Sequence, residues 1–351
     1  MDPIKVLAQK SAAETAGNLT AFNAREITES RGESAYVWDE GDSYRSLVIE
    51  GLGTKNLVAD AMRQYGDKTY YDAIAQDTIA MVVNDLIVVG ALPQVVNAYF
   101  AIGDSNWMKD EKRANDLISG WAKACDLSGA AWGGGETPTL KGIINPKTID
   151  LGGSAVGIIQ NKANLVLGDK LAAGDSIVLI ASSGIHANGL TLARSVGDTI
   201  PEGYATEMSD GRTYGEALLT PTPIYVPLVR ALQQAHTDIH YMVNITGHGW
   251  RKLMRATKEL HYVIDAVPSV PTEFTFIQNQ TDSSDEDMYG NFNMGAGFAI
   301  YVAKADAEAI VKIANTQGFE AMVAGHVEDG PKQVTIVPKN ITFASDSLEV
   351  R

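Results

Sequence analysis

The segment Asp77–Val89 (DTIAMVVNDLIVV) places Asp77, Asn84 and Asp85 in a run that is otherwise apolar on every side. At thirteen residues, such a run suits a buried helix better than a buried strand. On a helix Asp77 and Asn84 are seven apart and nearly eclipsed, with Asp85 about 100° further round. A carboxylate in apolar surroundings costs several kcal/mol if left unpaired, so it must meet a cation, a donor or a helix terminus. Asp77 could simply cap the helix. Asp85 has no such explanation and is a candidate for a metal or a ligand. Glu50, closing the apolar run SLVIE, and Glu136, following three glycines, are the matching carboxylates. Oxygen-only ligands of this kind suit Mg²⁺.

Other segments offer loop chemistry. Gly51-Leu52-Gly53-Thr54-Lys55 follows an apolar run and opens a helical pattern, so its N–H groups and lysine could hold a phosphate. Taken alone, an ordinary strand–helix turn is the favoured reading, and neither a P-loop nor a G-x-G-x-x-G fingerprint is present. His186 and Asn188 lie in Ser182–Gly189 (SSGIHANG), a glycine-bounded loop of the kind that positions catalytic or anion-binding groups. Its placement predicts that His186 points into an interdomain cleft rather than a core, although Ser183 and Asn188 could serve only as caps. His248 lies between Gly247 and Gly249. His236 and His240 fall in a polar stretch and read as surface residues; no zinc pattern and no nucleophile elbow is found.

The elements that must carry these residues alternate. Residues 46–50 read as a strand, and Thr54 to about Tyr65 as a helix with Leu57, Val58 and Ala61 inward. Residues 94–102 form a strand. A helix capped by Ser105 or Asn106 follows, with Leu117, Trp121 and Cys125 on one face, which makes Cys125 a core residue. After residue 170, a strand at 176–181 leads through a glycine loop to a helix from His186 to Val196. The expected fold class is therefore α/β (α+β) with two domains, 1–170 and 171–351.

The chain has 351 residues, 28 Lys and Arg against 43 Asp and Glu, and a formal charge of −15. That balance argues against nucleic acid or an anionic membrane as partner, yet it admits a nucleotide carried by Mg²⁺. No uncharged apolar run approaches the ~18 residues of a membrane span, and no secretory pattern opens the chain, so a cytoplasmic protein is expected. Cys125 is the only cysteine, which removes internal disulfides and thiolate clusters from consideration.

Taken in order, GLGTK (51–55), DTIAMVVNDLIVVGALP (77–93), GGET (134–137), DLGGSAVGII (150–159), SSGIHANGLTLAR (182–194), LLTPTPIYV (218–226), NITGHGW (244–250) and MYGNFNMGAGFAI (288–300) resemble the phosphoribosylformylglycinamidine cyclo-ligase, or AIR synthetase, family. The resemblance implies an AIR-synthetase-like two-domain fold whose ATP-binding N-terminal domains pair into a dimeric β-barrel. It implies ATP- and Mg²⁺-dependent closure of an imidazole ring on a ribonucleotide in purine biosynthesis, through a phosphoryl-imidate intermediate. It assigns Lys55, His186 and Asn188 to catalysis. It assigns Gly51, Gly53, Thr54, Lys55, Asp77, Asn84, Gly135, Glu136 and Thr137 to the nucleotide, and Glu50, Asp77 and Asp85 to the metal. The family's glycine-rich N-terminal clamp is not evident in residues 30–45, and the usual continuation after GGET is replaced by Pro138-Thr139-Leu140. Pro223 takes the usual arginine position, Asn244 stands for a histidine and His248 interrupts a triple glycine. Those departures define the alternative, a diverged ATP-binding relative with another substrate or no ligase activity.

Overall fold

Period-two alternation and glycine punctuation build the first sheet of the computed structural model, which describes residues 3–348. Its strands are β1 (Arg25–Glu26), β2 (Tyr36–Asp39), β3 (Tyr44–Gly51), β4 (Leu92–Ile102), β5 (Ala131–Glu136) and β6 (Ile149–Ile159). They run in the order β1-β2-β3-β6-β4-β5, antiparallel except for the parallel β4–β5 pair. Helices α1 (Pro3–Glu14), α2 (Lys55–Met62), α3 (Tyr71–Ile87) and α4 (Glu111–Ser128) accompany it. Along β3, Val48 turns inward, while Leu47 and Ile49 face out. Helix α3 is buried on almost every side, as its composition requires, between the sheet and α4.

The second sheet comprises β7 (Asp175–Ala181), β8 (Ile239–Asn244), β9 (Leu260–Ile264), β10 (Ala296–Ala303), β11 (Ala321–Asp329), β12 (Gln333–Ile336) and β13 (Ile341–Ala344). Its order is β13-β12-β9-β11-β7-β10-β8, and β9–β12 is the parallel pair. Helices α5 (Leu190–Thr199), α6 (Tyr214–Leu218), α7 (Val226–Gln234), α8 (Thr272–Thr281), α9 (Asp285–Asn291) and α10 (Ala307–Thr316) complete this half. Among the described residues no helix is long and apolar enough to cross a membrane.

Three local expectations need correction. Helix α3 begins at Tyr71, so Asp77 lies in its interior and does not cap it. The helix expected from Ser105 or Asn106 begins at Glu111. Asp110 caps it by accepting the Arg113 N–H at 3.1 Å, and Asp104 caps a separate short turn, Ser105–Lys109. The helix expected from His186 begins at Leu190, because His186 and Gly189 both adopt left-handed φ (59° and 75°) and break helical continuity. Cys125 is buried.

The two halves are joined across the polar side of α3. Thr222 donates both its N–H (2.8 Å) and its hydroxyl to Asp77 Oδ1, and Gln76 Nε2 donates to the Thr222 carbonyl at 2.9 Å. One heptad on, Asn84 donates to the Pro223 carbonyl at 2.8 Å and accepts the Tyr225 N–H at 2.9 Å. Lys55 Nζ, at the start of α2, lies 2.8 Å from Asp77 Oδ2 and donates to the Thr220 carbonyl at 2.8 Å. Residues 220–225 are thus a strap bonded to α3 at both Asp77 and Asn84.

Lys55 and Asp77 have no solvent exposure, and breaking such a pair from one side typically costs about 3–5 kcal/mol. Lys55→Met and Asp77→Leu should each destabilise the protein strongly. The double variant should lose clearly less than the sum in urea unfolding. Simple additivity would show that the pair contributes nothing as a pair.

Candidate active site

Because Ile49 faces out, the next residue of β3 turns inward, and Glu50 meets Asp85 on α3. Both line a cavity of about 290 Å³ at the seam between the domains. The N-terminal half contributes Glu33, Ser34, Glu50, Met81 and Asp85; the C-terminal half contributes Asn188, Thr246, His248, Lys252 and Arg255. Carboxylates from one domain therefore face cations from the other.

Each charged group has a distinct environment. Burial, and then the neighbouring Asp85 carboxylate, push the Glu50 carboxyl up to about 7. Asp85 Oδ1 accepts the side-chain N–H of Asn244 at 2.7 Å, which fixes that carboxylate from β8. Lys252 is buried and donates to the Thr246 hydroxyl; burial lowers its pKa, against the pull of Asp85. Arg255 is tied down by the Gly32 carbonyl at 2.9 Å and by Glu33 at 3.6 Å, and Glu33 also accepts the Tyr241 hydroxyl. Among the described residues no three His, Cys, Asp or Glu side chains converge to hold a metal by themselves. Two adjacent carboxylates still fit Mg²⁺, which keeps several waters and takes phosphate oxygens as further ligands.

The remaining sequence-predicted residues fall into two other groups. Lys55, Asp77 and His186 form a buried cluster beside the cleft, in which burial pushes the Asp77 carboxyl up and the Lys55 ammonium down. The expectation that His186 points into an open cleft is corrected here. Its ring is only 2% exposed, and burial, with Lys55 nearby, lowers its pKa to about 3. The neutral ring lies so close to Gly297 that a Cβ there would sit 2.6 Å from Cε1. Its Nε2 faces the Ser183 N–H at 3.4 Å. Asn188, two residues on, does reach the cleft and places its amide against Met81 Sδ.

Gly51, Gly53, Thr54, Gly135, Glu136 and Thr137 lie along one end of the first sheet. Register aligns Gly51 with Gly152, Gly152 with Tyr99, and Tyr99 with Glu136. Three inter-strand steps put Gly51 and Glu136 about 14 Å apart. Glu136 and Thr137 are exposed, and register places Glu136 with Tyr99 on the sheet's outer face, away from Asp85. Gly135 is required by space, since a Cβ there would meet the Ala98 carbonyl at 2.2 Å.

Sequence reasoning missed Lys252, Arg255, Glu33 and Thr246. The available signal was the basic spacing in Trp250-Arg251-Lys252-Leu253-Met254-Arg255 directly after a glycine turn. It was weak because the stretch Gly249–Met254 is a tight 3₁₀ turn without an α-helical period.

Two packed α/β halves with a charged cleft at their seam define a two-domain ligand-binding architecture. Residues 32–159 match the N-terminal domain, and residues 172–338 the C-terminal domain, of the AIR synthase related proteins. The chain belongs to the AIR synthase (AIR synthetase) family. It is 38% identical over 301 residues to the phosphoribosylformylglycinamidine cyclo-ligase of Methanococcus maripaludis strain C5, covering 85% of this chain and 82% of that one. The protein of the same name from Methanocaldococcus jannaschii is 38% identical, with 82% and 79% covered. That from Carboxydothermus hydrogenoformans is 35% identical, with 82% and 81% covered. Among solved structures, the HypE–HypF complex aligns with a TM-score of 0.63 at 17% identity, covering 91% and 95% of the two chains. Thiamine-monophosphate kinase from Stenotrophomonas maltophilia aligns at 0.61 and 17%, covering 86% and 88%. At those identities the likeness is one of fold.

The Glu50 environment has a pH signature. Its carboxyl titrates near 7 in the folded protein against 4.5 ordinarily, so the unfolded chain releases that proton first. Without divalent cations, stability should fall as pH rises from about 4.5 to about 7, and Glu50→Gln should flatten that slope. Melting curves across this range check it; an unchanged slope in the variant would place the titrating group elsewhere.

Proposed function

We propose that this chain closes the imidazole ring of 5-aminoimidazole ribonucleotide from formylglycinamidine ribonucleotide, using ATP and Mg²⁺. The observation that carries the reading is the 38% identity to a phosphoribosylformylglycinamidine cyclo-ligase over 85% of the chain. The opposed carboxylates and cations of the cleft agree with it. When bound, Mg²⁺-ATP supplies the phosphoryl group that activates the substrate's amide oxygen. A nitrogen of the same substrate then attacks the activated carbon, and the oxygen leaves as phosphate.

Glu50 and Asp85 hold the cation, with Asn244 orienting Asp85. Asn188 and His248, at the cleft, orient the substrate's polar groups so that nitrogen and carbon are in attack range. Lys55, Asp77 and Asn84 keep the strap on α3 and so fix the cleft's width. His186, neutral and enclosed, sets the loop that presents Asn188. Gly51, Gly53, Thr54 and the GGET turn form a glycine-lined rim along which a nucleotide can approach backbone N–H groups.

The active form is a homodimer. Leu47, Ile49, Val95 and Tyr99 are exposed on the outer face of the first sheet, and Ile49 is 78% exposed. An apolar sheet face of this kind is covered by the same face of a second copy, which closes a shared barrel.

Purified protein given ATP, Mg²⁺ and formylglycinamidine ribonucleotide should yield 5-aminoimidazole ribonucleotide, ADP and phosphate. Nucleotide binding without any imidazole product would favour a diverged relative acting on another substrate. In light scattering the protein should show twice its 37.6 kDa mass, and Ile49→Glu should shift it towards the monomer. A monomeric wild-type protein at micromolar concentration would remove the dimer from this account.

A further inference from the structure

One buried cation of the cleft is left without a task by the reading above. Lys252 sits on the turn Gly249–Met254 and is buried there. An ammonium taken out of water carries a penalty of several kcal/mol unless partners replace its hydration. Among the described residues, the Thr246 hydroxyl is the hydrogen-bond partner of Nζ, which leaves two of its three N–H donors for the cavity it lines. Arg255 lines the same cavity but is anchored from outside it, by the Gly32 carbonyl 2.9 Å from Nη2 and the Glu33 carboxylate 3.6 Å from Nε.

The surroundings restrict what those donors can meet. Glu50 and Asp85 line the same cavity of about 290 Å³, and both are suited to a divalent cation. A ligand drawn to carboxylates through a metal and to an ammonium directly must be an anion that carries its own metal. The terminal phosphate of a nucleoside triphosphate has that chemistry. We propose that Lys252 contacts the terminal phosphoryl group of the bound nucleotide and is thereby a phosphate-positioning residue of this chain. The inference rests on the ATP-dependent reading given above. A lysine that merely balanced Glu50 and Asp85 would be indifferent to how many phosphates the nucleotide carries.

Calorimetry with Mg²⁺ and either β,γ-methylene-ATP or ADP separates the two roles. Wild-type protein should prefer the triphosphate analogue. Lys252→Met should reduce that preference about tenfold or more while ADP affinity stays within about twofold, and Lys252→Arg should keep most of it. Equal weakening towards both nucleotides, or no change, would overturn the assignment. If Lys252→Met does not fold, Thr246→Val carries the same test, since it frees Nζ from its anchoring hydroxyl. It should lower the preference for the analogue, and an unchanged preference would count against the proposal. A wild-type protein that binds neither nucleotide would sink the ATP reading itself, and this inference with it.

Discussion

A helix enclosed on nearly every side can keep two carboxylates and an amide only if something outside the helix satisfies them. In this protein the other domain does so. Helix α3 takes the strap 220–225 through Asp77 and Asn84, and takes the end of β8 through Asn244 on Asp85. Within a seam that is otherwise apolar, these polar groups would be costly to bury alone, and they find their partners across it.

Asp77 and Asp85 show how one helix gives two carboxylates different work. Eight residues separate them, about 12 Å along the axis. Asp77 is enclosed with Lys55 and Thr222, so its charge is spent within the protein. Asp85 has one oxygen held by Asn244 and shares a cavity with Glu50, Lys252 and Arg255. Burial, and then the neighbouring Asp85 carboxylate, raise the Glu50 pKa, a tension that a bound divalent cation would relieve. Asn244 and Pro223 both belong to this seam: the Asn244 side chain donates to Asp85, and the Pro223 carbonyl accepts from Asn84.

Much of this was legible in the sequence where local physics decides it. The strands at 46–50, 94–102 and 176–181 and the buried helix around Asp77–Val89 follow from alternation and apolar length. The demand that Asp77, Asn84 and Asp85 find partners was also readable, since no solvent face was available to them. Which partners they find was not, because Thr222, Tyr225 and Asn244 lie about 140–160 residues away. His186 was misplaced for the same reason. Its glycine-bounded loop looked open, but Gly297 and Tyr225 from distant segments close over it. Lys252 escaped because a six-residue 3₁₀ turn is too short and too tightly wound to show the α-helical period that would mark its inward side.

The central claim is that the two aspartates of α3 divide their labour, with Asp85 facing the metal and Asp77 holding the domains. Electron paramagnetic resonance of bound Mn²⁺, in the presence of a non-hydrolysable ATP analogue, tests it directly. Folded Asp77→Asn should retain the bound-manganese signal despite a lower melting temperature, whereas Asp85→Asn should lose it. A signal lost in Asp77→Asn and kept in Asp85→Asn would contradict the account.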